Sequence, residues 1–131
     1  VDRQVKENDY VDESILIDDI DAALEKSDVI ILTLPLTDET RHLINKDKIE
    51  IIKDDAVLIN VSRGGIIDET SLIESLKKNK FLGVALDVFE EEPLSESPLW
   101  DFENVIITPH NSFVSDKVNE RLFELMIENL R

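Results

Sequence analysis

Four short apolar runs, each cut off by a polar or proline-bearing segment, set the rhythm of the chain. Val29-Ile-Ile-Leu-Thr-Leu34 stops at Pro35, and Ala56-Val-Leu-Ile-Asn-Val61 stops at Ser62-Arg63-Gly64-Gly65. Gly83-Val-Ala-Leu-Asp-Val88 runs toward three glutamates, and Val105-Ile-Ile107 stops at Thr108-Pro109. Such runs do not alternate with polar residues, which predicts strands apolar on both faces, as in a parallel sheet covered by helices. A weaker strand is expected at 14–17. Between the runs the apolar spacing becomes helical. Ile20, Ala23 and Leu24 share a face, with Asp18 or Asp19 as the cap. Residues 46–53 bring Ile49 and Ile52 together. Residues 68–79 align Leu72, Ile73 and Leu76 behind an N-cap at Asp68, with Glu69 in the first turn. Residues 115–131 predict a last helix that buries Val118, Leu122, Leu125 and Met126 and is capped by Ser115 or Asp116. Strand and helix in short alternation predict an α/β fold with a parallel sheet.

Composition narrows the function. The length of 131 residues is that of one domain, and 42% hydrophobic residues are too many for a disordered acidic tail. Fourteen Lys and Arg against 30 Asp and Glu leave a net charge of −16, which repels nucleic acid and anionic membrane. No run is long enough to span a bilayer and no signal-peptide pattern is present, so a cytoplasmic protein is expected. The absence of cysteine excludes disulfides, zinc–thiolate sites and cysteine nucleophiles.

In open α/β sheets ligands bind beyond the carboxyl ends of the strands. Here those ends carry Pro35-Leu36-Thr37, Ser62-Arg63-Gly64-Gly65, Asp87 with Glu90-Glu91-Glu92, and Pro109-His110-Asn111. An arginine at a glycine turn can grip a carboxylate through two parallel hydrogen bonds. A histidine moves protons near neutral pH, and a glutamate beside it holds its tautomer. The set suits binding an anionic acid and transferring a proton. It contains no serine in a nucleophile elbow, and one histidine with scattered carboxylates is weak evidence for a metal, so no metal is expected.

Five segments occur in the order and spacing of one family: Pro35-Leu-Thr-Asp-Glu-Thr-Arg-His-Leu-Ile44, Asn60-Val-Ser-Arg-Gly-Gly65, Gly83-Val-Ala-Leu-Asp-Val-Phe-Glu-Glu-Glu-Pro93, Ser97-Pro-Leu-Trp100 and Thr108-Pro-His110. Through them the sequence resembles the NAD-binding domain of the D-isomer-specific 2-hydroxyacid dehydrogenases, over nearly the whole chain. The resemblance implies hydride transfer between NAD and C2 of a small 2-keto or 2-hydroxy acid. In it Arg63 binds the substrate carboxylate, His110 is the general acid/base, and Glu92 pairs with His110 and raises its pKa. Glu90 and Glu91 are then solvated loop charges, and His42 is a packed or surface histidine. The cofactor residues implied are Leu34 and Pro35 along the adenosine, Thr40 near the pyrophosphate or ribose, and Val61 and Ser62 beside the nicotinamide. Asp87 would contact the carboxamide, with a strand-terminal cap as its plainer reading. Arg63 and His110 also face the cofactor, and Asp2 would accept the adenosine ribose hydroxyls and select NAD.

The chain departs from the family pattern in two places. Asn111-Ser112-Phe113 replaces the usual Ile-Ala-Gly after the histidine, and no Gly-x-Gly-x-x-Gly is present. The expected fold is therefore a Rossmann-like doubly wound parallel sheet, incomplete, with its first strand and glycine-rich turn absent. Residues 1–131 would be a partial NAD-binding domain without a substrate-binding domain, inactive alone. Two other readings stand beside the dehydrogenase: a corepressor-like protein-interaction module of the same fold, and a phosphite-type dehydrogenase. The family resemblance also implies a homodimer paired through this domain, for which the apolar cluster Pro98-Leu99-Trp100 is a candidate surface.

Overall fold

A computed structural model describes residues 9–130. Its strands are β1 (Val29–Leu32), β2 (Ala56–Asn60), β3 (Phe81–Leu86) and β4 (Val105–Ile107), paired in that order and all parallel. β1, β2 and β4 lie within predicted apolar runs, while β3 begins at Phe81, two residues before the predicted run, and ends at Leu86. The helices are α1 (Ile20–Lys26), α2 (Lys46–Ile51), α3 (Glu69–Leu76) and α4 (Val118–Asn129). Helix α2 connects β1 to β2 and α3 connects β2 to β3. The β3–β4 connection is a loop with a 3₁₀ turn at Pro98–Asp101.

Right-handed crossovers that keep stepping in one direction put their helices on one face of the sheet. The sheet is accordingly one-sided among the described residues. Ile30, Leu32, Leu58, Val84 and Leu86 form a core with Ile20 and Leu24 of α1, Ile49 of α2 and Leu72 and Leu76 of α3. A fully buried leucine such as Leu58 contributes roughly 1.5–3 kcal/mol. On the other face the registered row Ile31–Ile59–Ala85–Ile106 is open, with Ile31 58% and Ile106 66% exposed. The expectation of helices on both faces is met on one.

Local chemistry explains the helix boundaries. Asp68 caps α3 as predicted, accepting from the Ser71 N–H at 3.1 Å and the Ser71 hydroxyl at 2.8 Å. Asn45, not foreseen, caps α2 by accepting from the Lys48 N–H at 3.0 Å. Four expectations fail. Ile17–Asp19 forms a 3₁₀ turn in place of a strand at 14–17, and that turn leaves Asp19 before α1 with no side-chain cap bond. Lys117 holds the N-cap position of α4, where Ser115 reaches only the Lys117 N–H, at 3.3 Å. Helix α4 buries none of its residues: Val118, Leu122, Leu125 and Met126 are all exposed, because no described element packs on them. In the Pro98–Asp101 turn, Leu99 enters the core while Trp100 stays exposed, donating its indole N–H to the Leu94 carbonyl.

Candidate active site

The carboxyl ends of β1 to β4 meet at one rim. Beyond β2, Asn60 is buried and builds the arginine turn. Its Oδ1 accepts from the Ser62 N–H (3.1 Å) and hydroxyl (2.8 Å), while its amide donates to the Arg63 carbonyl (3.0 Å). Arg63 then leaves the turn with its Nη1 on the Ser62 carbonyl, 2.6 Å away, and with no ion pair among the described residues. Gly64 is required by contact: a Cβ there would lie 1.9 Å from the Phe89 carbonyl group. The arginine turn and the acidic loop are therefore back to back.

Beyond β3, the side chain of Glu92 bridges its own loop and His110. Its Oε1 accepts from the Phe89 N–H at 3.0 Å, and its Oε2 lies 2.7 Å from Nδ1 of His110. The hydrogen bond with His110 is the main reason the Glu92 carboxyl sits below the ordinary glutamate range; burial opposes it and the Phe89 N–H assists. Asp87, 2% exposed, grips the histidine loop from β3: Oδ1 accepts from the Thr108 hydroxyl (2.5 Å) and the Asn111 N–H (2.9 Å), Oδ2 from the Ser112 N–H (2.8 Å). Burial alone would raise its carboxyl, but these donors outweigh it and hold the pKa at about 2. The loop they hold carries His110 in the left-handed region, at φ 53°.

Arg63, Glu92 and His110 line one open cleft of about 600 Å³, with Arg41, His42 and Glu90. The three predicted catalytic residues are thus brought together from three strand ends. A second groove, about 610 Å³, runs between the β1 and β2 ends and is lined by Leu34, Pro35, Val61, Ser62 and Arg63, among others. Leu34, Pro35 and Val61 give it apolar walls, and Thr33, Ser62 and Arg63 add polar groups. Thr40 is placed differently from the other cofactor candidates. It is buried, its hydroxyl donating to the Pro35 carbonyl (2.7 Å) and accepting from the Thr37 N–H (2.8 Å), so it shapes the loop from inside. Asp2 lies outside the described residues. Among those described, no cluster of three or more potential metal ligands occurs.

Two residues set aside in the sequence are engaged here. The Nε2 of His42 lies 2.6 Å from Oε1 of Glu90, so Glu90 is no free loop charge. Glu69, read as a first-turn charge of α3, accepts from the Glu90 N–H at 3.2 Å. No spacing in the chain signals either contact, since both join segments more than 20 residues apart.

Comparison with known proteins agrees with this geometry. Residues 1–112 match the profile of the D-isomer specific 2-hydroxyacid dehydrogenase, NAD binding domain. The D-3-phosphoglycerate dehydrogenase of Methanocaldococcus jannaschii is 40% identical over 116 residues, 88% of this chain and 22% of that protein. The glyoxylate reductase of Thermofilum pendens is 43% identical over 113 residues, 86% of this chain and 33% of that protein. The chain thus spans a third or less of these relatives. A D-isomer specific 2-hydroxyacid dehydrogenase from Xanthobacter autotrophicus, solved with NADPH and MES, superposes with a TM-score of 0.85 at 34% identity, over 95% of this chain and 53% of that one. The D-lactate dehydrogenase of Aquifex aeolicus, solved with NAD and lactic acid, superposes with a TM-score of 0.74 at 35% identity, over 86% of this chain and 38% of that one. With its parallel sheet, its arginine turn and its paired histidine and glutamate, the chain belongs to the NAD-binding domain family of the D-isomer specific 2-hydroxyacid dehydrogenases.

Proposed function

We propose that the intact protein transfers a hydride between a nicotinamide cofactor and C2 of a small 2-keto or 2-hydroxy acid, giving the D configuration. One observation carries the reading: a histidine held by a carboxylate at 2.7 Å shares a cleft with an arginine that has no carboxylate partner among the described residues. Relatives named as glyoxylate reductase and as D-3-phosphoglycerate and D-lactate dehydrogenases support it.

In the reductive direction Arg63 binds the substrate carboxylate with two N–H groups, which fixes the plane of the neighbouring carbonyl. Nδ1 of His110 faces Glu92, which leaves Nε2 to face the cleft. The Nε2 proton passes to the carbonyl oxygen, and in oxidation the same nitrogen takes it back. Glu92 stays ionised throughout and favours the imidazolium. The cofactor, when bound, supplies the hydride that C2 receives. Leu34, Pro35, Val61 and Ser62 would hold it in the groove beside Arg63, and Asp87 keeps the His110 loop in place next to it. The same reading expects two copies to pair, which light scattering on the intact protein tests.

The experiment is NADH and NADPH oxidation by the intact protein with glyoxylate, hydroxypyruvate and pyruvate. Turnover of one of them is expected. No oxidation with any overturns the reading, and phosphite-dependent reduction of NAD in its place would assign the second kind of dehydrogenase.

A further inference from the structure

We infer that His42 is a positioning residue for the Glu92–His110 couple: it ties the arginine turn to the acidic loop and acts through Glu90. The inference rests on the acid–base reading of His110 above.

His42 bridges two halves of the site. Its backbone N–H donates to the Gly65 carbonyl at 2.8 Å, in the turn that carries Arg63. Its ring reaches across to Glu90 at 2.6 Å, two residues before Glu92. Glu90 is held from the other side as well, its N–H on the Glu69 carboxylate at 3.2 Å, with the Glu69 N–H returning to Glu90 at 3.5 Å. The backbone of His42 sits in the left-handed region at φ 50°, a conformation that persists where the surroundings hold it.

The acidic loop needs such a tie. Glu90, Glu91 and Glu92 are consecutive, and Glu69 packs against them. Burial pushes the Glu69 carboxyl up; the Glu90 N–H works against this, and the charges of Glu90 and Glu91 add to it. Like charges this close push the loop outward. A cationic or hydrogen-bonded His42 offsets that push at Glu90 and keeps Glu92 against Nδ1 of His110. On its own side His42 faces Asp68. Burial works to raise the Asp68 carboxyl, while the Ser71 hydrogen bonds and the His42 charge outweigh it. The charged and titratable groups around His110 are Glu92, Asp87 at the end of β3 beneath its loop, and Arg63, Arg41, His42 and Glu90, which line the same cleft. Its neighbour in the cleft, His42, is the one other histidine of the chain.

Imidazole NMR tests this directly, because two histidines give two ring systems. His42→Asn keeps a residue that tolerates the left-handed backbone. Removing a positive neighbour would by itself move the His110 titration to higher pH. Loss of Glu92 placement moves it to lower pH, so the sign decides. We expect a downward move of up to roughly 1 pH unit, with loss of the deshielded Nδ1–H resonance. In the intact protein the same variant lowers kcat for reduction by roughly 10- to 100-fold at unchanged KM for NADH. A His110 titration that stays in place or moves up in the folded variant overturns the inference. Should His42→Asn fail to fold, His42→Gly, suited to the same backbone angle, carries the same test. An intact wild-type protein inactive on every 2-keto acid would overturn the proposed function, while the NMR result still decides the role of His42.

Discussion

Asp87 at the end of β3 accepts the hydroxyl of Thr108 at 2.5 Å, two residues before His110, and thereby joins the acidic strand end to the loop that carries His110. With the Asn111 and Ser112 N–H groups on the same carboxylate, the left-handed conformation of His110 is imposed from a neighbouring strand.

This contact makes stability depend on acid. The Asp87 carboxyl falls from 3.8 to about 2 in the folded protein. A depressed carboxylate contributes its full stability above its unfolded value, and that contribution is lost as pH falls through the folded one. The shift corresponds to about 2 kcal/mol. Asp87→Asn should therefore destabilise the chain by about 2 kcal/mol at pH 7. In urea unfolding the gap to wild type should close between pH 3.8 and about 2. A gap that is equal at both ends of that window would refute the assignment.

Gly64→Ala should be costly for steric reasons. The new methyl group would sit 1.9 Å from the Phe89 backbone, which cannot swing aside as a side chain would. A loss of roughly 2–3 kcal/mol is expected in thermal unfolding, with a raised KM because Arg63 moves with the turn. Wild-type stability in this variant would mean that the turn and the acidic loop are not in contact.

Arg63→Lys retains the charge and loses the fork. A lysine cannot form two parallel bonds to a carboxylate, so kcat/KM of the intact protein should fall on the order of 100-fold, mainly through KM for the acid. Cofactor affinity measured by fluorescence quenching should change little.

His110→Gln should cost roughly 10²- to 10⁴-fold in kcat with cofactor binding intact. Glu92→Gln acts on the pH profile instead. The Glu92 carboxyl is held low chiefly by the His110 hydrogen bond, and by reciprocity its charge favours the imidazolium. Without that charge the imidazole loses its proton at lower pH, so 2-keto acid reduction should fall off at lower pH than in wild type. An unshifted limb would show that Glu92 does not tune the histidine.

All four main strands were legible because parallel strands of this kind are uninterrupted apolar runs, and Pro35 and Pro109 follow two of their ends. The candidate residues were legible as well: Arg63, Glu92 and His110 carry linked motifs, and all three line one cleft. The choice among three adjacent glutamates came from the family resemblance; of the three, Glu92 lies 2.7 Å from His110. Less legible was what each polar side chain touches. Thr40, whose motif suggested a place near the cofactor, is buried with its hydroxyl on the Pro35 carbonyl, and Asp19, expected as a cap, makes no side-chain cap bond.

The sequence by itself determined the strands, α2 and α3, because hydrophobic period and local hydrogen-bond geometry act over a few neighbouring residues, and its linked motifs marked Arg63, Glu92 and His110 as candidates. Tertiary structure alone decided that, among the described residues, nothing covers α4 or one sheet face. It also decided that His42 and Glu69 converge on Glu90, and that Asp87 holds the loop of His110. Those outcomes depend on which strand ends become neighbours when crossovers step one way across the sheet, and contacts of that kind leave no period or spacing in the chain.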